Sequence, residues 1–140
     1  MPNWDGRSRI HVAVMVDIDG TLCSPPENGI RALRPDAEAA LRGLSIVAHV
    51  VLWSIGGREI GERVLEQFPE LVPHVSFVAG KGDLPCHLID LTYSIDDGKV
   101  EECERRGNRV IVDRYEGGDS SGLLLEAACM IADDIRRNAR

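Results

Sequence analysis

Hydrophobic residues gather into short, almost continuous runs that alternate with amphipathic segments along the chain. The first run, Ile10 to Val16, is rich in β-branched residues, which is typical of a strand buried on both faces of a parallel sheet. A segment from Arg34 to Leu44 then places apolar residues at helical spacing, with Pro35 near its start. This pattern predicts a first strand–helix unit.

The same alternation continues to the end of the chain. The further predicted elements are a strand over Ile46 to Trp53, a helix over Glu59 to Phe68, strands over Val75 to Ala79 and Leu91 to Ile95, a short helix over Val100 to Arg106, a strand over Val110 to Val112 and a helix over Leu123 to Ile135. Such alternation favours right-handed crossovers. We predict one α/β domain over residues 1–140, a doubly wound, mostly parallel five-stranded sheet with helices on both faces.

Composition narrows the classes of function. A chain of 140 residues with 44% hydrophobic residues is long enough to cover a central sheet. Its formal net charge of −7 argues against a broad nucleic-acid surface, because neutralising phosphates requires clustered Lys and Arg. A local pocket for one anionic group stays compatible with this charge.

The cysteines and the start of the chain bear on location. The four cysteines lack the spacing of a zinc site, and a chain of this size does not need disulfides; they are Cys23, Cys86, Cys103 and Cys129. The first apolar run meets Asp17 before it is long enough for a signal or membrane segment. We therefore expect a cytoplasmic protein with reduced thiols and no membrane partner.

Polar residues with chemical potential follow the predicted strands. Asp17, Ser54, Lys81 and Asp96 each lie at or beyond the carboxyl end of a strand, the edge where open α/β sheets bind ligands. Gly20 allows the chain to bend after Asp17. Asp19 can then lie across from Asp17 and exchange a proton with a leaving group or a water molecule.

Four segments resemble the motifs of the haloacid dehalogenase superfamily, in the same order. VMVDIDGTL, with Asp17 and Asp19, looks like the first motif, and LWS, ending in Ser54, is similar to the second. Lys81 matches the lysine of the third, and YSIDDG matches the acidic fourth motif. The resemblance spans nearly the whole chain and implies a Rossmann-like fold and phosphate-ester hydrolysis through an aspartyl-phosphate at Asp17.

The resemblance also implies a metal ion. Mg²⁺ prefers oxygen ligands and keeps several waters, so a few protein oxygens suffice, and Mn²⁺ accepts the same ligands. By resemblance the ligands are the carboxylates of Asp17 and Asp96 and the carbonyl oxygen of Asp19. We place Asp97 behind them, orienting Lys81 or a metal-bound water. Thr21 either steadies the Asp19 side chain or makes a local turn bond.

Substrate contacts are expected from the second and third motifs. Ser54 would donate its hydroxyl to the phosphate, and the backbone N–H groups of Ile55 and Gly56 would add donors near the start of the next helix. Lys81 would supply positive charge beside Asp17 and the phosphate. Catalysis is thus assigned to Asp17, Asp19, Ser54 and Lys81.

The intervals between motifs are too short for the cap domain that many members of this superfamily carry. An open site suits a phosphorylated small molecule or macromolecular end, or a homo-oligomer in which a neighbour supplies the lid. Arg31 and Arg34 offer contacts for a second anionic group, although exposed arginines near a helix start are usually only solvated. Asp113 is a weaker candidate for the rim of the site.

Several functions stay open at this point. Phosphomonoester hydrolysis leads, and halide displacement is disfavoured because Asp19 supplies the acid and base that phosphatases of this superfamily need. Transfer of phosphate to an acceptor other than water is one alternative. A phosphate-binding or regulatory module with little hydrolytic activity is another.

Overall fold

The computed structural model of the chain describes residues 8–83, 86–98 and 108–138. Five strands form one parallel sheet: β1 (Ile10–Asp17), β2 (His49–Ser54), β3 (Phe77–Gly80), β4 (Ile89–Asp96) and β5 (Asn108–Ile111). Their order across the sheet is β3-β2-β1-β4-β5. Three α-helices accompany them: α1 (Ala37–Ser45), α2 (Arg58–Gln67) and α3 (Leu123–Asn138). Short 3₁₀ helices cover Pro69–His74 and Cys86–Leu88.

The prediction of an α/β chain with a five-stranded parallel sheet is confirmed. The main error in the element bounds lies before β2, where residues 46–48 were assigned to the strand. The backbone N–H groups of Val47 and Ala48 both donate to the Leu44 carbonyl at 3.0 Å, so these apolar residues close α1 instead. The helix predicted over residues 100–106 lies outside the described residues. None of the described helices has the length and apolar character needed to cross a membrane.

The two faces of the sheet are packed differently. Val14 and Val16 of β1 lie in one hydrophobic cluster with residues of α1, α2 and α3. Ala13 and Met15 point to the opposite face, where they join Trp53 in a second cluster. Across residues 8–83, 86–98 and 108–138, no α-helix contributes to this second cluster. Helices on both faces, as predicted, are therefore confirmed for one face only.

Strand register brings the ends of neighbouring strands together. Asp17 at the end of β1 is the register partner of Trp53 in β2, and Ser54 is the partner of Gly80 in β3. The backbone N–H of Lys81 donates to the Ser54 carbonyl at 2.9 Å, which fixes the start of the turn after β3. The strand-end residues predicted to converge thus share one edge of the sheet.

Residues 22–34 form an ordered hairpin beside this edge, which we call the rim hairpin. The N–H of Ser24 donates to the Ala32 carbonyl at 2.8 Å, and the N–H of Arg34 donates to the Leu22 carbonyl at 3.0 Å. Asn28 and Gly29 at the tip have φ of 53° and 77°, values typical of the tight Asn-Gly turn that joins twisted strands. The segment is therefore a well-defined element of the fold.

Arg34 anchors the base of the rim hairpin and is fully buried. Its guanidinium donates to the carbonyl oxygens of Thr21 at 3.3 Å and Asp113 at 3.0 Å, and it pairs with the Asp113 carboxylate. Together these contacts tie the segment after β1 to the segment after β5. The expectation that Arg34 and Asp113 meet a ligand at the rim is corrected, because these two side chains are each other's partners.

Candidate functional site

A cavity of about 300 Å³ opens at the carboxyl edge of the sheet. It brings together residues from the segments after β1, β2, β3 and β4, and one arginine from the segment after β5. The lining residues are Asp17, Asp19, Ser54, Ile55, Gly56, Ile60, Lys81, Asp97 and Arg114. All of the predicted catalytic and phosphate-contacting residues therefore lie around a single space.

Asp17 occupies the centre of this arrangement. Lys81 Nζ lies 3.2 Å from Asp17 Oδ1, and the Thr21 hydroxyl donates to Asp17 Oδ2 at 3.4 Å. Thr21 thus steadies Asp17 rather than Asp19. Burial raises the pKa of Asp17 to about 6; the nearby charge of Lys81 opposes this rise, and the charges of Asp97 and Asp96 add to it. A carboxyl group held this way, inside a cavity, is typical of a reactive site.

Lys81 is confined between Asp17 and an aromatic ring. Its ammonium group lies 5.2 Å from the centre of the Trp53 ring, within the range of a cation–π contact. Trp53 itself packs in the core of the second sheet face. The lysine charge is therefore fixed beside the nucleophile candidate and is not a solvated surface charge.

Ser54 ends β2 and points into the cavity. Its Oγ accepts a hydrogen bond from the Gly56 N–H at 3.1 Å, so its own hydrogen is available to donate to a ligand. Gly56 was predicted to offer this N–H to phosphate, but the structure uses it within the turn. Ile55 lines the cavity with a side chain that is 63% exposed.

Asp96 and Asp97 exchange the positions expected for them. Asp96 accepts two hydrogen bonds from Arg109, each of 2.6 Å, and one from the Gly98 N–H at 2.7 Å, and it does not line the cavity. Burial acts to raise the pKa of Asp96, but the bonds from Arg109 and Gly98 outweigh it, and the pKa falls below its ordinary value. Asp96, the predicted metal ligand, is therefore strongly paired with Arg109 in the structure.

Asp97 faces the cavity instead. Its side chain is only 3% exposed, and Arg114 Nη1 lies 2.6 Å from its Oδ2. Successive side chains along a strand point to opposite sides. Which of the two aspartates faces the cavity therefore depends on where β4 ends. Sequence alone did not determine that point.

Gly20 makes room for the Asp97–Arg114 pair. Its φ is +85°, and a Cβ atom placed there would lie 2.3 Å from Asp97 Oδ2 and 2.6 Å from Arg114 Nη1. Glycine is therefore required both by backbone conformation and by close approach. The turn after Asp17 therefore packs closely against Asp97, so residues of the first and fourth sequence motifs are in contact.

Asp19 is held by an arginine of the rim hairpin. Arg31 Nε donates to Asp19 Oδ1 at 2.7 Å, and Arg31 Nη2 donates to Oδ2 at 3.3 Å. The arginine side chain is 6% exposed, whereas the aspartate is 37% exposed and open to the cavity. Arg31 was expected to be solvated or to meet a ligand, and in the structure it orients Asp19.

Sequence reasoning missed the arginine partners of the acidic residues. Arg114 follows β5, so the rule that singles out residues beyond strand ends would have found it. Arg109 lies within β5 and pairs across the sheet with Asp96, a contact that only strand order reveals. Arg31 depends on the hairpin that folds residues 22–34 back toward the site. Each of the four acidic residues therefore has a cationic partner.

A metal ion has only part of a protein ligand set here. Among the described residues, no three His, Cys, Asp or Glu side chains are grouped as a complete metal site. The cavity nevertheless presents carboxylate oxygens from Asp17 and Asp97, and it has no imidazole or thiol in its lining. Mg²⁺ needs only one or two carboxylates when water and substrate oxygens complete its octahedron. The available donor chemistry fits that ion better than it fits zinc.

No protein-family model matches the chain, and no curated protein matches it either.

Proposed function

We propose that this protein is a magnesium-dependent phosphomonoester hydrolase that acts through an aspartyl-phosphate at Asp17. One observation carries the proposal: a half-buried carboxylate, a lysine 3.2 Å away, a second carboxylate and a serine hydroxyl line one cavity of about 300 Å³. These are the groups needed to attack phosphorus, neutralise its oxygens and move a proton. Their order along the chain, similar to that of the haloacid dehalogenase superfamily, supports the same activity.

The reaction would have two halves. In the first, an Asp17 carboxylate oxygen attacks phosphorus, the bond from phosphorus to the ester oxygen breaks, and Asp19 gives its proton to the departing alkoxide. In the second, Asp19 takes a proton from water as the water oxygen attacks phosphorus. The acyl-phosphate bond then breaks, inorganic phosphate leaves and the Asp17 carboxylate is restored.

Ser54 and Lys81 would bind the phosphoryl group during both halves. The Ser54 hydroxyl can donate to a phosphate oxygen because its own Oγ is already oriented by Gly56. Lys81 faces Asp17 and carries a fixed positive charge that offsets the charge spreading over the equatorial oxygens in the transition state. Both side chains come from rigid strand ends, which favours catalysis by keeping reorganisation small.

The metal ligands proposed are Asp17, Asp97 and the carbonyl oxygen of Asp19, with Asp97 replacing the Asp96 expected from sequence. When bound, Mg²⁺ would supply positive charge that lets carboxylates and a phosphate anion approach each other. Mn²⁺ remains an alternative with the same ligands. Arg114 now holds Asp97, so this arginine would shift or share the carboxylate when a cation is present.

We further propose an open site without a cap domain, suited to a phosphorylated small molecule or macromolecular end. A second copy of the chain is a candidate for the lid. Cys23 and Cys129 are free thiols, which suits the proposed cytoplasmic location.

The test is release of p-nitrophenol from p-nitrophenyl phosphate with and without Mg²⁺. We expect turnover that requires the cation and is abolished in Asp17→Asn, with phosphate trapped on the wild-type protein by acid quench. Turnover that survives this substitution or excess chelator would contradict the mechanism. Phosphate binding without turnover across a panel of phosphate esters would favour the binding or regulatory module instead.

A further inference from the structure

The contact between Arg31 and Asp19 has the geometry expected of a pair in which the arginine orients the carboxylate. Both Asp19 oxygens are held by a planar guanidinium, one at 2.7 Å and the other at 3.3 Å. The unequal distances leave Oδ2 the more weakly bound and the freer to exchange partners. Two-point contact by arginine also fixes the plane of a carboxylate, which a lysine cannot do.

Arg31 is itself held from several directions. Its side chain is buried, and its backbone carbonyl accepts a hydrogen bond from Gln67 Nε2 of α2 at 3.0 Å. The rim hairpin carries it, and that hairpin is closed by backbone bonds at both ends. An arginine fixed this firmly can impose an orientation on a half-exposed aspartate.

The same arginine borders a second recess of about 390 Å³. Glu27 of the hairpin and Glu116, which accepts a bond from Arg114 at 2.7 Å, also line this recess. Arg31 therefore borders this recess while it holds Asp19, which lines the cavity that contains Asp17.

We propose that Arg31 is a positioning residue that aims the Asp19 carboxyl at the leaving oxygen of the substrate. The proposal rests on the function proposed above and adds a residue to it. Arg31 does not touch the reacting atoms; it acts through the orientation of Asp19. Its contribution therefore scales with how much the leaving group needs a proton.

Leaving groups that differ in basicity separate this role from a purely structural one. The ratio kcat/KM reports phosphoryl transfer to Asp17, the first irreversible step, and p-nitrophenolate leaves without protonation whereas an alkoxide does not. We expect Arg31→Met to lower kcat/KM by about 10- to 100-fold for a simple alkyl phosphate and by less than about 3-fold for p-nitrophenyl phosphate, on the scale of general acid catalysis. Arg31→Lys should recover part of the loss.

Two further variants complete the experiment. In an Asp19→Asn background, Arg31→Met should cause little additional loss with the alkyl ester, because the group it positions is gone. Gln67→Met is the matched control, since it removes a hydrogen bond to the Arg31 backbone and keeps the guanidinium with its two bonds to Asp19. Any kcat/KM loss it causes should be equal for the two esters, as expected of a structural contact.

An equal loss of kcat/KM with both esters in Arg31→Met, or no loss with either, would overturn the proposal. Full additivity with Asp19→Asn would do the same. These outcomes are distinct from failure of the proposed function, which would appear as turnover persisting in Asp17→Asn. A melting temperature for each variant shows whether the hairpin has unfolded, and Arg31→Lys covers the case in which Arg31→Met does not fold.

Discussion

Asp17 and Asp96 are two carboxylates at the ends of adjacent strands, and their surroundings shift their pKa values in opposite directions. Asp17 faces a lysine point charge and two other carboxylates, and its pKa is raised to about 6, first by burial. Asp96 receives a two-point contact from Arg109 and a backbone N–H, and its pKa is lowered despite burial. The two carboxyl groups thus differ both in burial, which controls the pKa of Asp17, and in their partners, which control the pKa of Asp96.

The difference lies in how completely hydrogen bonds replace water. Three bonds of 2.6 to 2.7 Å replace the hydration of Asp96, so its charge is stable and its oxygens are fully engaged. Asp17 has donors at 3.2 and 3.4 Å, so its oxygens are less strongly bound. A carboxylate must be left with such unsatisfied capacity if it is to attack phosphorus or bind a cation.

The largest expected effect comes from replacing Asp17, the proposed nucleophile. We expect Asp17→Asn to reduce kcat for p-nitrophenyl phosphate by at least about 10³-fold, because removing a covalent nucleophile eliminates the main route. Steady-state kinetics and acid-quench trapping measure this. Asp96→Asn is the paired control; if it lost as much activity with unchanged stability, the division of roles would be wrong.

Next in size is the effect on cation affinity. We expect Asp97→Asn to raise the Mg²⁺ concentration for half-maximal turnover by about 10- to 100-fold, the range seen when groups around a metal are lost. Asp96→Asn should change it by less than about 3-fold, because Asp96 faces Arg109 and not the cavity. The measurement is a Mg²⁺ titration of turnover. The reverse ranking would restore Asp96 as the ligand.

Replacing Asp96 should lower the stability of the fold. Asp96→Asn removes a charged acceptor from Arg109, and we expect a loss of about 1.5 to 3 kcal/mol in the free energy of unfolding, as for hydrogen bonds to charged groups. Urea unfolding followed by circular dichroism measures it. Glu38→Gln is a suitable comparison, because its ion pair with Arg42 is exposed and 4.0 Å long, and its loss should be small. Equal losses would deny Asp96 its structural role.

Gly20→Ala tests whether Asp97 depends on the close approach of the first turn. A Cβ at this position overlaps the Asp97–Arg114 pair and sits on a backbone with φ of +85°. We expect a loss of about 1 to 2 kcal/mol in the free energy of unfolding, within the range for strain at a non-glycine residue with positive φ. We also expect a weaker Mg²⁺ response, that is, a higher Mg²⁺ concentration for half-maximal turnover. Gly29→Ala also has positive φ, at the hairpin tip, but no neighbour within 4 Å; its Mg²⁺ response should match that of the wild type. A normal response in Gly20→Ala would contradict the close packing.

The smallest effect is a difference in how pH changes stability, measured in chelator. Because the folded-state pKa of Asp17 is raised from 3.8 to about 6, ionisation costs stability above pH 6, and this cost disappears as the pH falls toward 4. The pKa of Asp96 is lowered, so its stabilisation is present above its ordinary pKa of 3.8 and is lost only as the pH falls through the lower folded-state value.

Asp17→Asn should therefore flatten the rise in stability between pH 7.5 and 5 by about 1 to 2 kcal/mol, since one pKa unit corresponds to about 1.4 kcal/mol. Asp96→Asn should leave the slope in that window unchanged and reduce the loss of stability below pH 4. Thermal unfolding across this range, with each variant compared with wild type, gives the slopes. Parallel curves for the wild type and Asp17→Asn would show that the Asp17 carboxyl titrates normally.

Much of the fold and part of the site were predictable, for local reasons. β1 and Asp17 follow from a continuous apolar run that stops at a carboxylate, and the convergence of Ser54 and Lys81 follows from parallel strands sharing one edge. The choice between Asp96 and Asp97 was not predictable, because adjacent residues at a strand end point to opposite sides. The end of β4 was placed one residue early, at Ile95, and it is Asp97, not Asp96, that lines the cavity.

The arginine partners were hidden for a different reason. Arg31, Arg109 and Arg114 look like solvated charges in a one-dimensional pattern, and their burial depends on tertiary contacts with acidic residues that are 12 to 17 positions away. Ile46, Val47 and Ala48 were assigned to β2 for a related reason. A short apolar run looks the same in sequence whether it ends a helix or begins a strand. Long-range pairing decides such cases.

The buried Arg34 network has a practical consequence for anyone redesigning this protein. It ties the base of the rim hairpin to the segment after β5, while residues 26–30 at the hairpin tip are exposed. A library that varies only Pro26, Glu27 and Ile30 leaves Arg31 and Arg34 in place, keeps the Asn28–Gly29 turn, and alters side chains at or beside the second recess. Variation of the recess can thus be separated from variation of the buried contacts that hold the hairpin in place.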